Sequence, residues 1–213
     1  FKTEVLYNWV KIEDANFEKS SLREDLNLND KIIFLYGGNI GVAQDLDNVL
    51  NLAKNLLDQN NIYFLMVGAG TEFERLQNRI QVENINNMTL MPSVSPSVFQ
   101  TIVSTSDVGL ISLNRNFKTQ NIPGKILSYM QSKKPMLASI NPGNDLFDLF
   151  PDNDCGFALL NGEDSTFIDA AKKLAVDNKL RTRMGQNGYR LLQEVFTVES
   201  AADQIVQKIP SQN

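Results

Sequence analysis

The chain has 213 residues, 42% of them hydrophobic and 21% charged, so it is long enough to bury the core of a full domain and is not expected to be disordered. Twenty basic and 25 acidic residues leave a net charge of −5, which argues against a nucleic-acid partner because such a partner requires a basic face. The sequence contains no histidine, which excludes a histidine general base and a histidine-containing metal site built from this chain alone.

The apolar stretches of the sequence are short, and none approaches the ~20 residues of a membrane-spanning helix. No signal peptide heads the chain, so we expect a cytoplasmic protein. The single cysteine, Cys155, cannot form a disulfide framework, and it heads an apolar stretch in which a small thiol is expected to be buried. Because the sequence opens on Phe1, we expect it to be part of a longer protein.

Six apolar blocks alternate along the chain with segments of helical period. Continuous apolar blocks are typical of strands that are buried on both faces, and the alternation is typical of a parallel sheet covered by helices. We therefore predict an α/β fold with a doubly wound, mostly parallel six-stranded sheet of the Rossmann-like type. The predicted strands are residues 32–36, 62–67, 88–91, 108–113, 136–140 and 156–160.

The first helices of this pattern are a small one in the Asn-rich leading segment, residues 1–30, and an amphipathic one after the first strand. Apolar residues of the second helix fall on a single stripe that is expected to pack on the sheet: Leu46, Val49, Leu50, Ala53, Leu56 and Leu57. After the second strand, Thr71 and Glu74 have capping-box spacing. The inward face of that helix is predicted to be Phe73, Leu76 and Ile80.

The remaining helices show start signals of different kinds. After the third strand, Ser95 is predicted as an N-cap with Pro96 at the first helical position. After the last strand, Asp164 or Ser165 is predicted as the cap of another helix. Two further helices, at about residues 179–194 and 198–209, are predicted to close the chain.

The first strand runs into "YGGNIGV", where Gly37, Gly38 and Gly41 allow a sharp turn and a close approach of backbone amides to a bound oxygen. This pattern suits a phosphate. Glycine is also common at such corners for steric reasons alone, and Asp45 and Asp47 could satisfy the dipole of the following helix without a ligand. The loop by itself leaves both interpretations open.

A dinucleotide-binding fingerprint is only partly present at this corner. With Gly38 and Gly41 as its last two glycines, the first falls on Tyr36. The second strand ends in Val67 and lacks the carboxylate expected to hold a ribose, so an NAD site is disfavoured. The next loop, "VGAG", brings Gly68 and Gly70 beside the first loop in a sheet of the usual order, and the two loops together would form the floor of a crevice.

The loop after the fourth strand, "NRNFKTQNIPGKILSYM", gathers three cations, Arg115, Lys118 and Lys125, at the end of a strand in an acidic chain. Lys125 lies at the start of a predicted helix, where a lysine interacts unfavourably with the helix dipole. That placement favours a bound anion, although a solvated lysine remains an alternative.

Asp45 and Asp47 also spell the D-x-D motif of metal-dependent sugar transferases. Two residues apart on a helix, their side chains diverge, and the motif normally lies on a loop. We therefore expect no metal site.

In these motifs the chain resembles the nucleotide-binding C-terminal half of retaining glycosyltransferases of family four, which have the two-domain GT-B fold. The resemblance runs over nearly the whole sequence, through "VLYNWV", "YGGNIG", "VGAG", "STSDVGLISL", "PGKILSYMQSKKPMLAS" and "CGFALLNGEDS". The nearest branch is similar to bacterial N-acetylfucosamine transferases of surface-polysaccharide assembly, with Gly124 in place of a serine. The resemblance to the family implies a leading interdomain segment at 1–30, a nucleotide-sugar-binding domain at 31–194 and a return helix at 195–213.

The chain departs from the family at four functional positions. The family's two glutamates, which hold the sugar and ribose of the donor, correspond to Gln120 and Ser128. Its arginine and lysine on the diphosphate correspond to Asn39 and Gln44. The diphosphate clamp would therefore depend on Lys125 and on backbone amides.

The resemblance implies a donor that is a nucleoside-diphosphate sugar, most simply UDP-linked, with no cofactor and no metal. Negative charge that collects on the departing diphosphate would be stabilised by Lys125, as the catalytic group, and by amides of the first loop, Gly38, Asn39, Ile40 and Gly41. Gly68 and Gly70 would complete the floor, Met91 and Val94 would border the base, and Ser128 would meet the ribose. The sugar would lie against Gln120, Asn121, Ile122, Pro123 and Gly124.

The acceptor, a glycan or a lipid-linked one, is expected to bind to an N-terminal domain outside this sequence, which also carries any peripheral membrane contact. The chain alone is therefore expected to have no transferase activity. The departures from the family also fit a non-catalytic sugar-nucleotide sensor or assembly module. A sugar-nucleotide epimerase, which has the same fold, is the third alternative, but no acid and base pair for it is found in the sequence.

Overall fold

The structure is a computed structural model, and it describes residues 5–12, 21–118 and 122–208. Within them lie six strands: β1 (Ile32–Asn39), β2 (Ile62–Ala69), β3 (Met88–Pro92), β4 (Val108–Ser112), β5 (Met136–Ile140) and β6 (Gly156–Leu160). The helices are α1 (Leu22–Asp25), α2 (Asp47–Asn55), α3 (Phe73–Val82), α4 (Pro96–Thr105), α5 (Lys125–Gln131), α6 (Leu146–Asp152), α7 (Asp164–Val176), α8 (Asn178–Val195) and α9 (Val198–Val206).

The six strands form one parallel sheet in the order β3-β2-β1-β4-β5-β6. The chain moves outward from β1 to β3, then returns to the centre at β4 and moves outward again, which confirms the doubly wound α/β prediction. In such sheets the strand order reverses between the two central strands, and ligands bind beyond the carboxyl ends there. The strands at this switch point, β1 and β4, are paired only at Phe34 and Leu35 of β1.

Each face of the sheet buries its own apolar cluster. Alternate residues of β1 point to opposite faces, so Phe34 and Tyr36 join one cluster while Ile33 and Leu35 join the other. The first cluster is covered by α2, α3, α7 and the start of α8, and the second by α4, α5, α6 and the C-terminal part of α8. This two-sided burial explains why the strands appear in the sequence as continuous apolar blocks.

Two strands continue further than their apolar blocks indicate. The turn predicted at Gly37 and Gly38 is wrong in position, because β1 runs on through Asn39. Gly38 and Asn39 pair with Gly68 and Ala69, which extend β2 in the same way. The chain therefore turns only after Asn39, into a short 3-10 turn at Val42–Gln44 that precedes α2.

The predicted stripe of the helix after β1 is confirmed at five of its six positions, all of which are buried in α2 or beside it. Leu57 is the exception, with 38% of its surface exposed. The reason is that α2 ends at Asn55, so the helical spacing no longer applies to Leu57. The predicted inward face of α3 is confirmed, with Leu76 buried and two partly buried neighbours packed on the same cluster, Phe73 and Ile80.

The helix caps were predicted with mixed success. Ser95 caps α4 as predicted, and its hydroxyl accepts from the Val98 amide at 3.4 Å. The capping box of Thr71 and Glu74 is wrong, because α3 starts at Phe73 and the residue before it, Glu72, pairs with Arg75. The cap at Asp164 or Ser165 is also wrong, since both residues lie inside α7.

The described part of the leading segment lies beside the C-terminal helices. The Val10 amide donates to the Phe196 carbonyl at 2.9 Å, and the Tyr7 and Phe196 rings are 5.3 Å apart. The Gln204 side chain of α9 donates to the Val5 carbonyl at 3.0 Å. Segment 5–12 and α9 thus pack together at one side of the sheet, and the domain boundaries at residues 30 and 195 stay predictions.

Candidate functional site

A cavity of about 530 Å³ lies beyond the carboxyl ends of β1 and β2. Its floor is formed by residues 37–39 and 67–69 at the ends of these strands. One wall comes from the segment after β3, with Ser93, Val94, Pro96 and Phe99, and Lys125 of α5 closes the other side. We call this the strand-end cavity. It lies where the topology of the sheet places ligand sites.

The glycines of the floor permit a close approach of the two strands. An added Cβ at Gly68 would lie 1.9 Å from the Gly38 carbonyl oxygen, and one at Gly70 would lie 2.1 Å from the Ile40 carbonyl oxygen. Gly38 itself has a φ of +123°, which residues with side chains rarely adopt. The close approach of the strands is therefore enough to explain why Gly68 and Gly70 are glycines, without any ligand. The absence of a side chain at Gly38 also leaves space in front of Lys125.

Lys125 is the first residue of α5, and α5 is fixed on the sheet by buried Ile126, Tyr129 and Met130. The Tyr129 hydroxyl donates to the Leu35 carbonyl at 3.0 Å and accepts from the Gly37 amide at 3.1 Å. These bonds join α5 to β1 immediately before the cavity floor. They set the direction from which Lys125 enters the cavity.

The Lys125 ammonium has an unusual environment. It lies 3.5 Å from the centroid of the Tyr36 ring, and among the described residues it makes no ion pair and no hydrogen bond. Burial lowers the pKa of Lys125 to about 7, because the low-dielectric surroundings disfavour the charged form. A half-buried cation facing a cavity is suited to an anionic ligand.

The other two cations of the predicted cluster do not reach the cavity. Arg115 donates to the Asn161 carbonyl at 3.0 Å, toward the end of β6, and Lys118 is exposed. The prediction that the three cations gather at one anion site is therefore wrong. Of the three cations, Lys125 alone is among the described residues that line the cavity.

The predicted site residues do not all meet at one place. Gly38, Asn39, Gly68, Val94 and Lys125 meet in the strand-end cavity. Outside its lining lie Gly41, Gly70, Met91 and Ser128, the last one turn after Lys125 on α5. Three others, Ile122, Pro123 and Gly124, border a separate cleft of about 20 Å³ beside Tyr7. Gln120 and Asn121 lie outside the described residues.

One predicted amide donor is committed elsewhere. The Ile40 amide donates to the Ala69 carbonyl at 2.9 Å, and its side chain is fully buried. The prediction that Ile40 faces the ligand is therefore wrong, because β1 and β2 continue to pair at this position.

Phe99 in the cavity wall and Tyr36 beneath Lys125 are among the residues that were not predicted from the sequence. Phe99 packs against the floor so closely that a Cβ at Gly37 would lie 2.1 Å from its ring. Tyr36 supports Lys125 through its ring face. The sequence could have indicated Phe99, because it lies in the first turn of α4, directly after the loop that is predicted to border the nucleobase. It held no such indication for Tyr36.

The two aspartates of the D-x-D pattern have protein partners. Asp47 accepts hydrogen bonds from both Arg75 and Arg79. Asp45 accepts one from the side-chain amide of Asn161 at 3.0 Å. In the part of the chain that the structure describes, no cluster of three metal-ligating side chains is found. No helix of that part has the length and apolar character needed to cross a bilayer.

Residues 18–191 match the model of the protein family described as Glycosyl transferases group 1. The chain belongs to this family. A candidate colanic acid biosynthesis glycosyl transferase of Escherichia coli, WcaI, is 32% identical over 128 residues, which cover 58% of this chain and 31% of that protein. The alpha-D-kanosaminyltransferase of Streptomyces kanamyceticus is 24% identical over 198 residues, which cover 92% of this chain and 50% of that protein.

The fold is shared with solved glycosyltransferase structures. Anabaena HepE, crystallised in complex with UDP and glucose, superimposes with a TM-score of 0.77 at 16% identity, over 96% of this chain and 56% of HepE. The prediction of a glycosyltransferase family and of a Rossmann-like fold of the GT-B type is thus confirmed, while retention and the N-acetylfucosamine branch stay predictions. This chain spans between about a third and a half of the length of the two curated relatives.

Proposed function

We propose that this chain is the donor-binding domain of a retaining glycosyltransferase that transfers a sugar from a UDP-sugar to a glycan or lipid-linked acceptor. The observation that carries the proposal is the Lys125 ammonium, which faces the strand-end cavity beside Gly38 without an anionic partner among the described residues. The family of the chain and its shared fold with HepE, which binds UDP, support the same assignment.

Lys125 acts on the charge that the reaction creates. When the bond between the sugar and the diphosphate breaks, negative charge collects on the diphosphate oxygens. A cation fixed at that place stabilises the transition state more than the ground state and so accelerates the reaction. The Ile40 amide is committed to the Ala69 carbonyl, and Gly38 pairs with Gly68 in the same ladder, so the backbone donors of the proposal are reduced to Asn39 and Gly41. The proposal requires no metal ion.

The apolar wall of the cavity supports the assignment of a nucleotide donor. Val67, Val94 and Phe99 line the side opposite Lys125, and an aromatic or aliphatic surface of this kind suits the faces of a nucleobase. In the proposal, the base lies along Val94 and the diphosphate lies between Gly38 and Lys125. The acceptor binds to the N-terminal domain that the resemblance places before this chain, so the chain alone binds the donor without transferring it.

Calorimetric titration of the chain with UDP tests this proposal. Lys125→Ala should weaken binding by about 1.5–3 kcal/mol, the range of a charge-assisted hydrogen bond. Lys172→Ala is the matched control, because it removes the same charge from an exposed position on α7 and should leave the affinity unchanged. No UDP binding by the wild-type chain, or equal affinity of the Lys125→Ala variant, would contradict the proposal.

A donor-binding module without transferase activity is the second candidate. At the two positions where the family carries arginine and lysine, this chain has Asn39 and Gln44, which contribute no charge. The Asn39 side chain instead donates to the Gln44 side chain at 2.8 Å, and this favours the module. A longer protein that includes the acceptor half and this chain would decide between the two. Binding of the donor without turnover in the presence of acceptors would favour the module.

A further inference from the structure

Lys125 has the shortest of three lysine–ring contacts among the described residues, at 3.5 Å against 4.8 Å for Lys133 over Tyr189 and 5.5 Å for Lys173 over Phe157. Lys54 pairs with Glu83 at 2.7 Å, and Lys134 donates to the Ser104 carbonyl at 2.7 Å. The ammonium of Lys125 lies instead 3.5 Å from the centroid of an aromatic ring. A cation within ~6 Å of a tyrosine ring centroid is attracted by the negative face of the ring.

The Tyr36 ring is rigidly held. Tyr36 is fully buried in β1, and its hydroxyl donates to the Asn39 carbonyl at 2.7 Å. Its side chain belongs to the cluster on one face of the sheet, whereas α5 packs on the other face. The ammonium and the ring therefore meet where β1 and β4 have ceased to pair, beyond Leu35. The switch point of the sheet provides the space for this contact.

The position and the charge of the Lys125 ammonium depend on three features. Gly38 has no side chain, and a Cβ placed there would lie 3.6 Å from the Lys125 Nζ. Burial disfavours the charged form of Lys125 and lowers its pKa to about 7. The ring of Tyr36 opposes this effect, because its negative face interacts favourably only with the protonated form.

We propose that Tyr36 is a positioning residue for Lys125, whose ring face holds the protonated ammonium at the Gly38 end of the strand-end cavity, where a diphosphate would bind. This inference rests on the proposed function. Tyr36 does not line the cavity, so it acts through the position and charge of Lys125 and not through contact with the ligand.

The surroundings of Lys125 allow this role to be measured. The titratable groups nearest to it are Tyr36 and Tyr129, and burial raises the pKa of both, so they stay neutral through the neutral range. No carboxylate of the described residues pairs with Lys125, so changes in its charge are not masked by an ion pair. The pH dependence of ligand affinity near neutrality should therefore report on this lysine.

The experiment is a double-mutant cycle with UDP affinity as the readout. Tyr36→Phe keeps the ring and should retain most of the wild-type affinity. Tyr36→Leu removes the ring and should weaken binding by about three- to tenfold at pH 7. In a Lys125→Met background, Tyr36→Leu should have no further effect. Tyr63→Leu is the matched control, because it removes a tyrosine ring from the amino end of β2, away from the cavity, and should not change the affinity.

The pH profile separates positioning from a purely structural role. UDP affinity should fall as the pH rises through the pKa of Lys125, about 7, in the wild-type chain. In Tyr36→Leu this fall should begin at a lower pH, because the protonated ammonium has lost its partner. A structural defect would instead weaken binding equally at every pH.

A fluorinated ring covers the case in which Tyr36→Leu fails to fold. Phenylalanine and 3,4,5-trifluorophenylalanine at residue 36 have nearly the same size, but fluorination withdraws the negative charge from the ring face. The trifluorinated variant should bind UDP several-fold more weakly than Tyr36→Phe. Equal affinities, or an effect of Tyr36→Leu that persists in the Lys125→Met background, would overturn the inference. A wild-type chain that does not bind UDP would overturn the proposed function itself.

Discussion

At the scale of single residues, Lys125 combines a cost to stability with a position that serves a ligand. Half-buried charges in folded proteins are usually paired, as Arg23 is with Asp107 at 2.6 Å. Lys125 has only the Tyr36 ring beneath it among the described residues. A lysine retained in such a place is expected to improve binding and to lower the stability of the free domain.

Lys125→Met should therefore stabilise the chain while it weakens UDP binding. The unfolded lysine has a pKa of 10.5 and the folded one about 7, so below pH 7 both states are protonated and the folded state bears the full penalty. The penalty disappears as the pH rises from about 7 to 10.5. We expect a gain of about 1–2 kcal/mol in the free energy of unfolding at pH 7, since each pKa unit corresponds to about 1.4 kcal/mol and partial exposure screens the charge.

Urea unfolding of the two proteins at pH 7 and at pH 10 measures this difference. The gain at pH 10 should be smaller than the gain at pH 7. Lys172→Met, on the exposed surface of α7, should change neither value. A Lys125→Met variant that is less stable than the wild type at pH 7 would contradict the interpretation of Lys125 as an uncompensated charge.

Gly68 of the strand-end cavity and Gly124, the residue before α5, should respond to substitution in opposite ways. In Gly68→Ala the new Cβ would lie 1.9 Å from the Gly38 carbonyl oxygen, so the two strands must separate. We expect a loss of about 1–3 kcal/mol in unfolding free energy, as for overpacked cores. Gly124→Ala has no heavy atom within 4 Å of the new Cβ and an ordinary φ of −57°, so it should be neutral or stabilising. Denaturant unfolding of both variants checks the pair, and equal losses would refute this assignment of the glycines.

At the scale of elements, the α2–α3 layer is joined by a cluster of ion pairs. Burial tends to raise the pKa of Asp47, but hydrogen bonds from Arg75 and Arg79 outweigh it and hold that pKa below its ordinary value of 3.8. A carboxylate of this kind stabilises the fold above its unfolded pKa, and the contribution is lost as the pH falls through the lower folded pKa. The cluster should therefore strengthen the layer at pH values above 3.8 and lose this effect in acid.

Asp47→Asn should lower the unfolding free energy by less than about 1 kcal/mol at pH 7, because the pairs are partly exposed and screened by solvent. The difference should shrink at high salt and as the pH falls below 3.8. Asp169→Asn, at an exposed position of α7, serves as the control. A difference that stays constant with pH and salt would show that Asp47 acts through something other than its charge.

The C-terminal helix α9 depends on a capping box at its start. The Thr197 hydroxyl accepts from the Ser200 amide at 3.0 Å, and the Ser200 hydroxyl accepts from the Thr197 amide at 3.1 Å. Thr197→Ala should cost about 0.5–2 kcal/mol, whereas Thr197→Ser should keep the cap. Because the neighbouring Phe196 carbonyl accepts from Val10, hydrogen exchange of the Val10 amide should accelerate in the alanine variant alone. Unchanged hydrogen exchange of the Val10 amide would show that the packing of segment 5–12 does not depend on the cap.

At the scale of the whole molecule, the strands of the sheet were predicted better than the residues at which strands and helices end. The strands β5 and β6 match the predicted bounds to the residue, because in both the mainly apolar block coincides with the five residues that pair between the two strands. At β1 and β2 the apolar block stops before the strand does, since the last paired residues include Gly38 and Gly68, which carry no apolar signal. Leu57 was misassigned because a helical period does not reveal where the helix ends.

The site was predicted in part because topology alone brings strand ends together. Gly38 and Gly68 lie at the carboxyl ends of β1 and β2, and Val94 follows β3, so a parallel sheet places all three at one end of the strands. The contact of Lys125 with Tyr36 was not predictable, because it depends on how α5 packs over a neighbouring strand. For the same reason Arg115 was placed at the site by its position in the sequence but points toward β6.

A crystal structure of the chain grown with saturating UDP tests the central claim most directly. The account predicts diphosphate density between Gly38 and the Lys125 ammonium, with the base against Val94 and Phe99. An empty strand-end cavity in such crystals, or UDP bound elsewhere on the chain, would contradict it.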